Sequence, residues 1–380
     1  LGVAMYDLER VEVLKGPQGT LYGKNTTGGA VNLITRSAKL GETSGYLSAG
    51  YGNYNRVDVS GAVNVPLGDK AALRVAGTYS HADGWFKNQL PGMPDLAEVK
   101  EYGVRASLYF EPADGVDFTL RASTSYQNPH NYGIYATPES VNRPGLSTRQ
   151  IESDVPDRRR ARTWSVAFTA NADLSDTIKL TSITSYDKGS LHFVEDTDGQ
   201  PNKLLEIPYD DEAKQYAQDL RLTSNSHGPF DFILGLYFAR EKVFNSNSFQ
   251  ITQDVASGGD LDGNGVVDTA DCAIGAGLGL FAACKVSNRF DQLKKSYAAY
   301  SDVKFHLSDA LTLRGGLRFT HDSGTQTGLR SDAFSVSDVL VANTIPATNS
   351  AYSTDNLSGK IGVDYKLPGG NLLYASVSKG

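Results

Sequence analysis

From about residue 44 onward, hydrophobic and polar positions alternate with period two, in segments of about nine to twelve residues. In RVDVSGAVNV, Val57, Val59, Gly61, Val63 and Val65 share one face, and Arg56, Asp58, Ser60 and Asn64 the other. VDFTLRASTSY divides into Val116, Phe118, Leu120 and Ala122 against Asp117, Thr119, Arg121 and Ser123. FDFILGLYF sets Phe230, Phe232, Leu234, Leu236 and Phe238 on one side. LTLRGGLRF puts Leu311, Leu313, Leu317 and Phe319 opposite Thr312, Arg314 and Arg318. Such alternation predicts strands with one apolar and one wet face. Roughly thirteen can be drawn, the last being NLLYASVSKG.

The connections choose between a soluble sandwich and a membrane barrel. Short turns at 66–69, 111–115, 174–177, 225–229, 307–310 and 367–370 are built from Pro, Gly, Asp and Ser, which supply turn dihedrals or bond their own backbone. Between them fall long polar links at about 84–101, 127–158, 188–213, 242–290 and 323–355. Alternating short and long links gather all the long ones at one end, as in outer-membrane barrels. Strands of about 9–11 tilted residues cross a bilayer, whereas sandwich strands are shorter and lack this asymmetry. The expected fold is therefore all-β, a transmembrane antiparallel β-barrel. A thirteenth strand that stops midway leaves an open edge, which lipid does not tolerate, so the chain is expected to be a fragment lacking both its start and its end.

Composition sharpens this picture in a few places. Glycine (39), tyrosine (20) and phenylalanine (15) are abundant, and Tyr and Phe suit a pleated surface. The net charge of −7 argues against a nucleic-acid partner, which needs a basic face. No signal-type leader opens the sequence. The longest apolar candidate, AIGAGLGLFAA at 273–283, is about half the roughly 20 residues of a membrane helix, a test that membrane strands never meet anyway. The six histidines (His81, His130, His192, His227, His306 and His321) lack ligand spacing, and no nucleophile–base set stands out, so no enzyme is expected.

Residues 1–40 break the alternation. LERVEVLKGPQGTLYGKNTTGGAVNLITRS predicts a strand over Val11–Leu14, a glycine-rich turn, a short link and a strand over Ala30–Thr35. A phosphate-binding GxxxxGK[ST] loop would need glycine at Gln18 and Ser or Thr at Asn25, and no GxGxxG occurs. ERVEVLKGPQGTLYGKNTTGGAVNLIT closely resembles the end of the plug domain in TonB-dependent outer-membrane receptors, and the strands that follow resemble the first part of that family's barrel. The signature residues are Glu9, Arg10, Glu12, Lys15, Gly16, Pro17, Gly19, Gly23, Gly28 and Gly29.

The resemblance implies a plug over 1–40 and a barrel over 41–380, a part of a 22-stranded wall that such a plug fills. It implies the outer membrane of a Gram-negative bacterium, a TonB energy-transducing complex as partner, and active uptake. A ferric siderophore is the leading cargo, with cobalamin or glycans as alternatives. A passive porin or an adhesin barrel is the other class, and it would carry no plug. Plug charges Glu9, Arg10, Glu12, Lys15 and Lys24 either face lumen residues such as Arg74, Arg105, Arg121 or Arg318 or stay solvated; Arg10 and Glu12 are the pair expected to lock plug to wall.

Ligand contacts are expected from Trp85, Tyr132, Tyr135, Arg143 and Arg149, aromatic faces and cations suited to an anionic chelate. Loop packing or an interfacial aromatic belt is the competing reading. The run DRRRAR at 157–162 suits lipopolysaccharide phosphates or simple solvation.

The longest link contains DLDGNGVVDTADC. Asp260, Asp262, Asn264, the Val266 carbonyl, Asp268 and Asp271 occupy calcium-loop positions around Gly265, with Asp271 in place of the usual bidentate glutamate. No cofactor is required, and structural calcium is the candidate. Cys272 and Cys284 lie in the same insert, as a disulfide in an oxidising compartment or as two free thiols.

Overall fold

The alternating segments form one antiparallel sheet. The structure, a computed structural model, describes residues 5–26, 28–134, 146–197, 199, 201, 205–224, 228–251, 285–334 and 340–379. The sheet strands are β3 (Ser44–Gly52), β4 (Arg56–Pro66), β5 (Ala71–Ala82), β7 (Val99–Ala113), β8 (Val116–Gln127), β10 (Arg160–Ser175), β11 (Ile178–Asp196), β12 (Leu205–Ser224), β13 (Phe230–Ile251), β14 (Lys285–His306), β15 (Leu311–Phe334), β16 (Leu340–Lys366) and β17 (Leu372–Lys379). All thirteen pair with their sequence neighbours, so chain order is sheet order, with β3 and β17 at the two edges. Two short segments, β6 (Lys87–Asn88) and β9 (Gln150–Ile151), lie outside the sheet and pair with each other in parallel.

Burial on this sheet is the reverse of a soluble core. Leu236 is 59% exposed, and Leu47, Leu317, Phe319 and Ile361 are likewise open. On the opposite face Asn64, Arg74, Ser107, Asp302, Arg318 and Ser358 are buried. An apolar outside and a polar inside are what a barrel wall in lipid requires. Tight turns close one end; Gly68 (φ 85°) and Gly115 (φ 74°) take left-handed backbone there at no steric cost.

The strands from β12 onward differ from the sequence reading. β12 has 20 residues, β13 and β14 have 22 each, β15 has 24 and β16 has 27, well beyond a bilayer crossing. They absorb much of the links expected at 188–213, 242–290 and 323–355. Polar residues read as loop continue the ladder because both faces of a strand above the membrane are wet, so alternation ends while pairing does not.

Ahead of the sheet, β1 (Leu8–Lys15) and β2 (Gly29–Thr35) pair antiparallel, each somewhat longer than or close to its expected range. A Cβ on Gly29 would sit 2.3 Å from the Leu14 carbonyl oxygen, so only glycine permits this approach. The glycine-rich segment between the strands contains a short helical turn, α1 (Gly19–Tyr22), which the sequence reading did not include. It lies against β14, β15 and β16 on the polar face. The hairpin ends at Thr35 and the sheet begins at Ser44, leaving 36–43 as the passage from plug to wall.

Candidate functional site

Two regions carry the charged and aromatic groups: the seam between the N-terminal hairpin and the wall, and a cap over the long-link end of the sheet. At the seam, Arg74 on β5 donates from Nε to Asp7 Oδ2 (2.8 Å) and from Nη2 to Asp7 Oδ1 (2.5 Å). Both side chains are almost fully covered, at 7% and 1% exposure. The fork geometry suits a guanidinium–carboxylate pair. One strand over, the Arg105 guanidinium lies 4.5 Å from the centre of the Tyr6 ring, and its Nη1 donates to the Tyr6 carbonyl (3.3 Å). Burial pushes the Tyr6 phenol above its ordinary value, and Arg105 partly opposes this.

Asn64, on β4 and facing the same side, fixes the passage from hairpin to wall. Its Oδ1 accepts from Lys39 N (2.9 Å), and its Nδ2 donates to the carbonyls of Lys39 (2.9 Å) and Glu42 (2.5 Å). Further along the wall, Lys24 donates to Asp322 Oδ1 (3.0 Å).

Of the wall cations expected to meet the plug, Arg74, Arg105 and Arg318 do so. Arg74 meets Asp7 and Arg105 meets Tyr6, while Arg318 only lies close against Gly23, so none meets the charges singled out in the sequence. The expectation that Arg10 and Glu12 lock plug to wall is corrected. Arg10 donates to Glu12 (2.7 Å) and Glu9 (3.1 Å), and Glu12 also accepts from Asn32 (3.2 Å), so the set is satisfied within the hairpin. Side chains two apart on one strand share a face, which makes this local pairing favourable. Arg10 and Glu9 are both more than half exposed. Asp7 was missed because it precedes the recognisable motif and its positive φ of 49° breaks the strand pattern there.

The cap is built from residues 83–98, 128–134 and 146–159. β6 and β9 join them, with Lys87 N donating to the Arg149 carbonyl (2.9 Å) and Gln89 N to the Ile151 carbonyl (2.8 Å). Leu96, Ile151 and Val155 are fully buried and form its small core. Three sequence-expected ligand residues sit here. Trp85 stacks on Phe86 with centroids 3.8 Å apart. Phe86 in turn covers Gly133, where a Cβ would meet its ring at 2.8 Å. Beside it, Tyr132 donates to Glu195 Oε1 (3.0 Å); burial first, then this acceptor, pushes its phenol up to about 12. Arg149 Nη1 reaches Tyr54 Oη at 3.5 Å, a marginal contact.

Tyr135 and Arg143 lie outside the described residues, as do Asp260, Asp262, Asn264, Val266, Asp268, Asp271, Cys272 and Cys284. A charged knot under the cap has no signature in the sequence. Glu98 Oε2 accepts from Arg158 Nη1 (2.8 Å) and the His130 backbone N–H (2.8 Å), with His130 Nδ1 at 3.0 Å. Burial, with Arg158 beside it, holds the His130 imidazole below its ordinary value despite Glu98. Arg158 opens the basic run expected to face lipopolysaccharide, yet it turns inward; Arg162 lies over the Tyr126 ring at 5.2 Å.

The family model "TonB dependent receptor-like, beta-barrel" matches residues 30–380, and the "TonB-dependent Receptor Plug Domain" model matches residues 2–30. A curated relative from Acinetobacter baumannii, a probable TonB-dependent siderophore receptor PiuA, is 35% identical over 123 residues, 32% of this chain and 15% of the relative. The ferric yersiniabactin uptake receptor FyuA from Yersinia pestis superposes with a TM-score of 0.78 at 20% identity, covering 97% of this chain and 51% of that one. The siderophore receptor PiuA from Acinetobacter baumannii gives 0.74 at 19% identity, covering 98% and 54%. The chain thus spans about half the length of these solved structures, and at such identities they speak to its fold.

Proposed function

Because the chain belongs to the TonB-dependent receptor family, we propose that the protein actively imports a ferric siderophore across the outer membrane of a Gram-negative bacterium, driven by the TonB energy-transducing complex. The observation that carries this reading is the hairpin held against the polar face of the wall by the covered Asp7–Arg74 pair. A passive pore has no use for such an obstruction, whereas gated uptake needs an element that an energy source can shift. A ligand biases that element only through differential affinity for its two states. The relatives named for siderophore and ferric yersiniabactin uptake support iron chelates as the cargo class.

The cap is the proposed first contact for the ligand, with Trp85, Tyr132 and Arg149 on its described part and Tyr135 and Arg143 beyond it. Calcium at Asp260, Asp262, Asn264, Val266, Asp268 and Asp271, with a Cys272–Cys284 bridge, is proposed to order the longest link. Calorimetry on an oxidised 242–290 peptide tests that; no heat of calcium binding contradicts it. Lipid and the phosphates of lipopolysaccharide are the proposed surroundings of the apolar wall and its outer rim. Growth of a deletion strain on a panel of iron chelates and oligosaccharides tests the cargo. A defect confined to one class of iron chelate is expected, and a defect only on oligosaccharides overturns the siderophore reading.

A further inference from the structure

Where the segment Gly19–Thr26 meets the wall, two adjoining cavities of about 280 Å³ each open between them, and Arg318 lines both. The first is bounded by the cations Lys24, Arg221, Lys294, Lys295 and Arg318, of which Lys295 is exposed to solvent, and by the carboxylates Asp219 and Glu241. Three of those cations are matched. Lys24 pairs with Asp322 (3.0 Å), Arg221 with Asp219 (2.6 Å) and Lys294 with Glu241 (3.2 Å). Arg318 is different. Among the described residues no carboxylate lies within ion-pair distance of it, although the residue is only 5% exposed.

Its surroundings are nevertheless constructed. Nε donates to Thr320 Oγ1 (3.1 Å), which orients the guanidinium and leaves the terminal nitrogens without a protein acceptor. The guanidinium carbon lies 5.1 Å from the Tyr300 ring centre and 5.4 Å from that of Tyr237. Tyr300 is held in turn. Its ring lies flat over Gly235, where a Cβ would fall 2.1 Å from Cζ, and its hydroxyl joins Asp219 (3.1 Å) and Arg221 (3.0 Å). On the hairpin side Gly23 covers Arg318, and a Cβ there would come within 3.2 Å of Nη2. A largely covered cation whose paired donors face a cavity and no carboxylate favours an anion there, and a guanidinium fork suits a planar or tetrahedral oxyanion.

We propose that Arg318, framed by Tyr237, Tyr300 and Thr320, is an internal oxyanion-binding site, taking a carboxylate-type or similar oxyanionic group. Gly23 roofs it in the present arrangement, so movement of the plug segment would widen the access. The two flanking rings give a cation–π frame that holds the guanidinium flat without neutralising it. Its service as a second station on the path of an anionic chelate rests on the proposed uptake function; the binding itself does not.

The test uses crystals of the full-length protein soaked in sodium selenate, with diffraction collected at the selenium edge. Anomalous density in contact with the Arg318 guanidinium is expected in the wild type, and its loss in Arg318→Gln. Thr320→Val, which frees the guanidinium, should weaken the density without abolishing it. Wild-type crystals with selenate at other sites and none at Arg318 overturn the proposal, however the variants fold. Equal density in Arg318→Gln overturns it as well. Selenate bound at Arg318 in a protein whose chelate uptake ignores TonB supports the site and removes only its assigned part in transport.

Discussion

Asp7 and Arg74 together satisfy each other, but either alone would be a charge stranded away from water. Removing one member of such a pair costs about 3–5 kcal/mol, whereas replacing both by uncharged groups costs far less. Asp7→Asn in the full-length receptor is therefore expected to lower the denaturant resistance of the plug sharply, and Asp7→Asn with Arg74→Met to restore most of it. Hydrogen exchange of the β1 and β2 amides reads both; equal protection in wild type and Asp7→Asn contradicts the latch. His130 offers a second check at this scale. Its folded value lies below the ordinary 6.5, through burial and Arg158, so folding favours the neutral ring. The associated stability is complete above the unfolded value and is lost as pH falls toward and through the lower folded value. A histidine-labelled NMR titration should place the His130 midpoint below 6.5, and a midpoint above it would show that Glu98 prevails over burial. Arg74 was legible in sequence as a wall cation facing the plug, but its partner and the knot under the cap were not. Asp7 stands outside the motif, and Glu98, His130 and Arg158 come from links whose meeting depends on the β6–β9 bridge.

The period-two pattern carried most of the architecture, because a wall between lipid and a wet lumen imposes the same constraint on every strand. Thirteen strands, their order and the short turns all follow from it. The pattern failed above the membrane, where β15 and β16 continue to pair through polar sequence such as HDSGTQTGLR and the constraint on the outer face lapses. α1 was hidden for another reason: four residues that begin at Gly19 and stop before Gly23 carry no helical periodicity. The lipid-facing assignment makes a quantitative prediction. Leu236, on the outer face of β13 and 59% exposed, should tolerate arginine poorly, at about 2–4 kcal/mol for a position near the bilayer midplane. Unfolding of Leu236→Arg in phospholipid vesicles measures this, and an unchanged midpoint would place that face against water.

At the scale of the molecule, a sheet that is polar inside and apolar outside, with a hairpin pinned to its inner face, describes a wall and part of its stopper. Asn64 clamps the passage between them through the backbone of Lys39 and Glu42, so that passage is tied to β4 by three hydrogen bonds while the Asp7–Arg74 and Lys24–Asp322 contacts hold the hairpin itself. A movement that opens the lumen is expected to break the ion pairs before the clamp. Asn64→Leu should then impair retention of the linker against β4 more than it impairs ligand capture at the cap, read by exchange of the Lys39 amide against surface binding of a chelate.

If the occluded wall serves energy-driven import, as proposed, uptake of ⁵⁵Fe-labelled chelates by cells expressing the full-length receptor should depend on TonB. Accumulation is expected with TonB and its loss without, while surface-bound label stays the same. Accumulation that is equal in both strains and rises linearly with external chelate would contradict it and mark the protein as a passive pore.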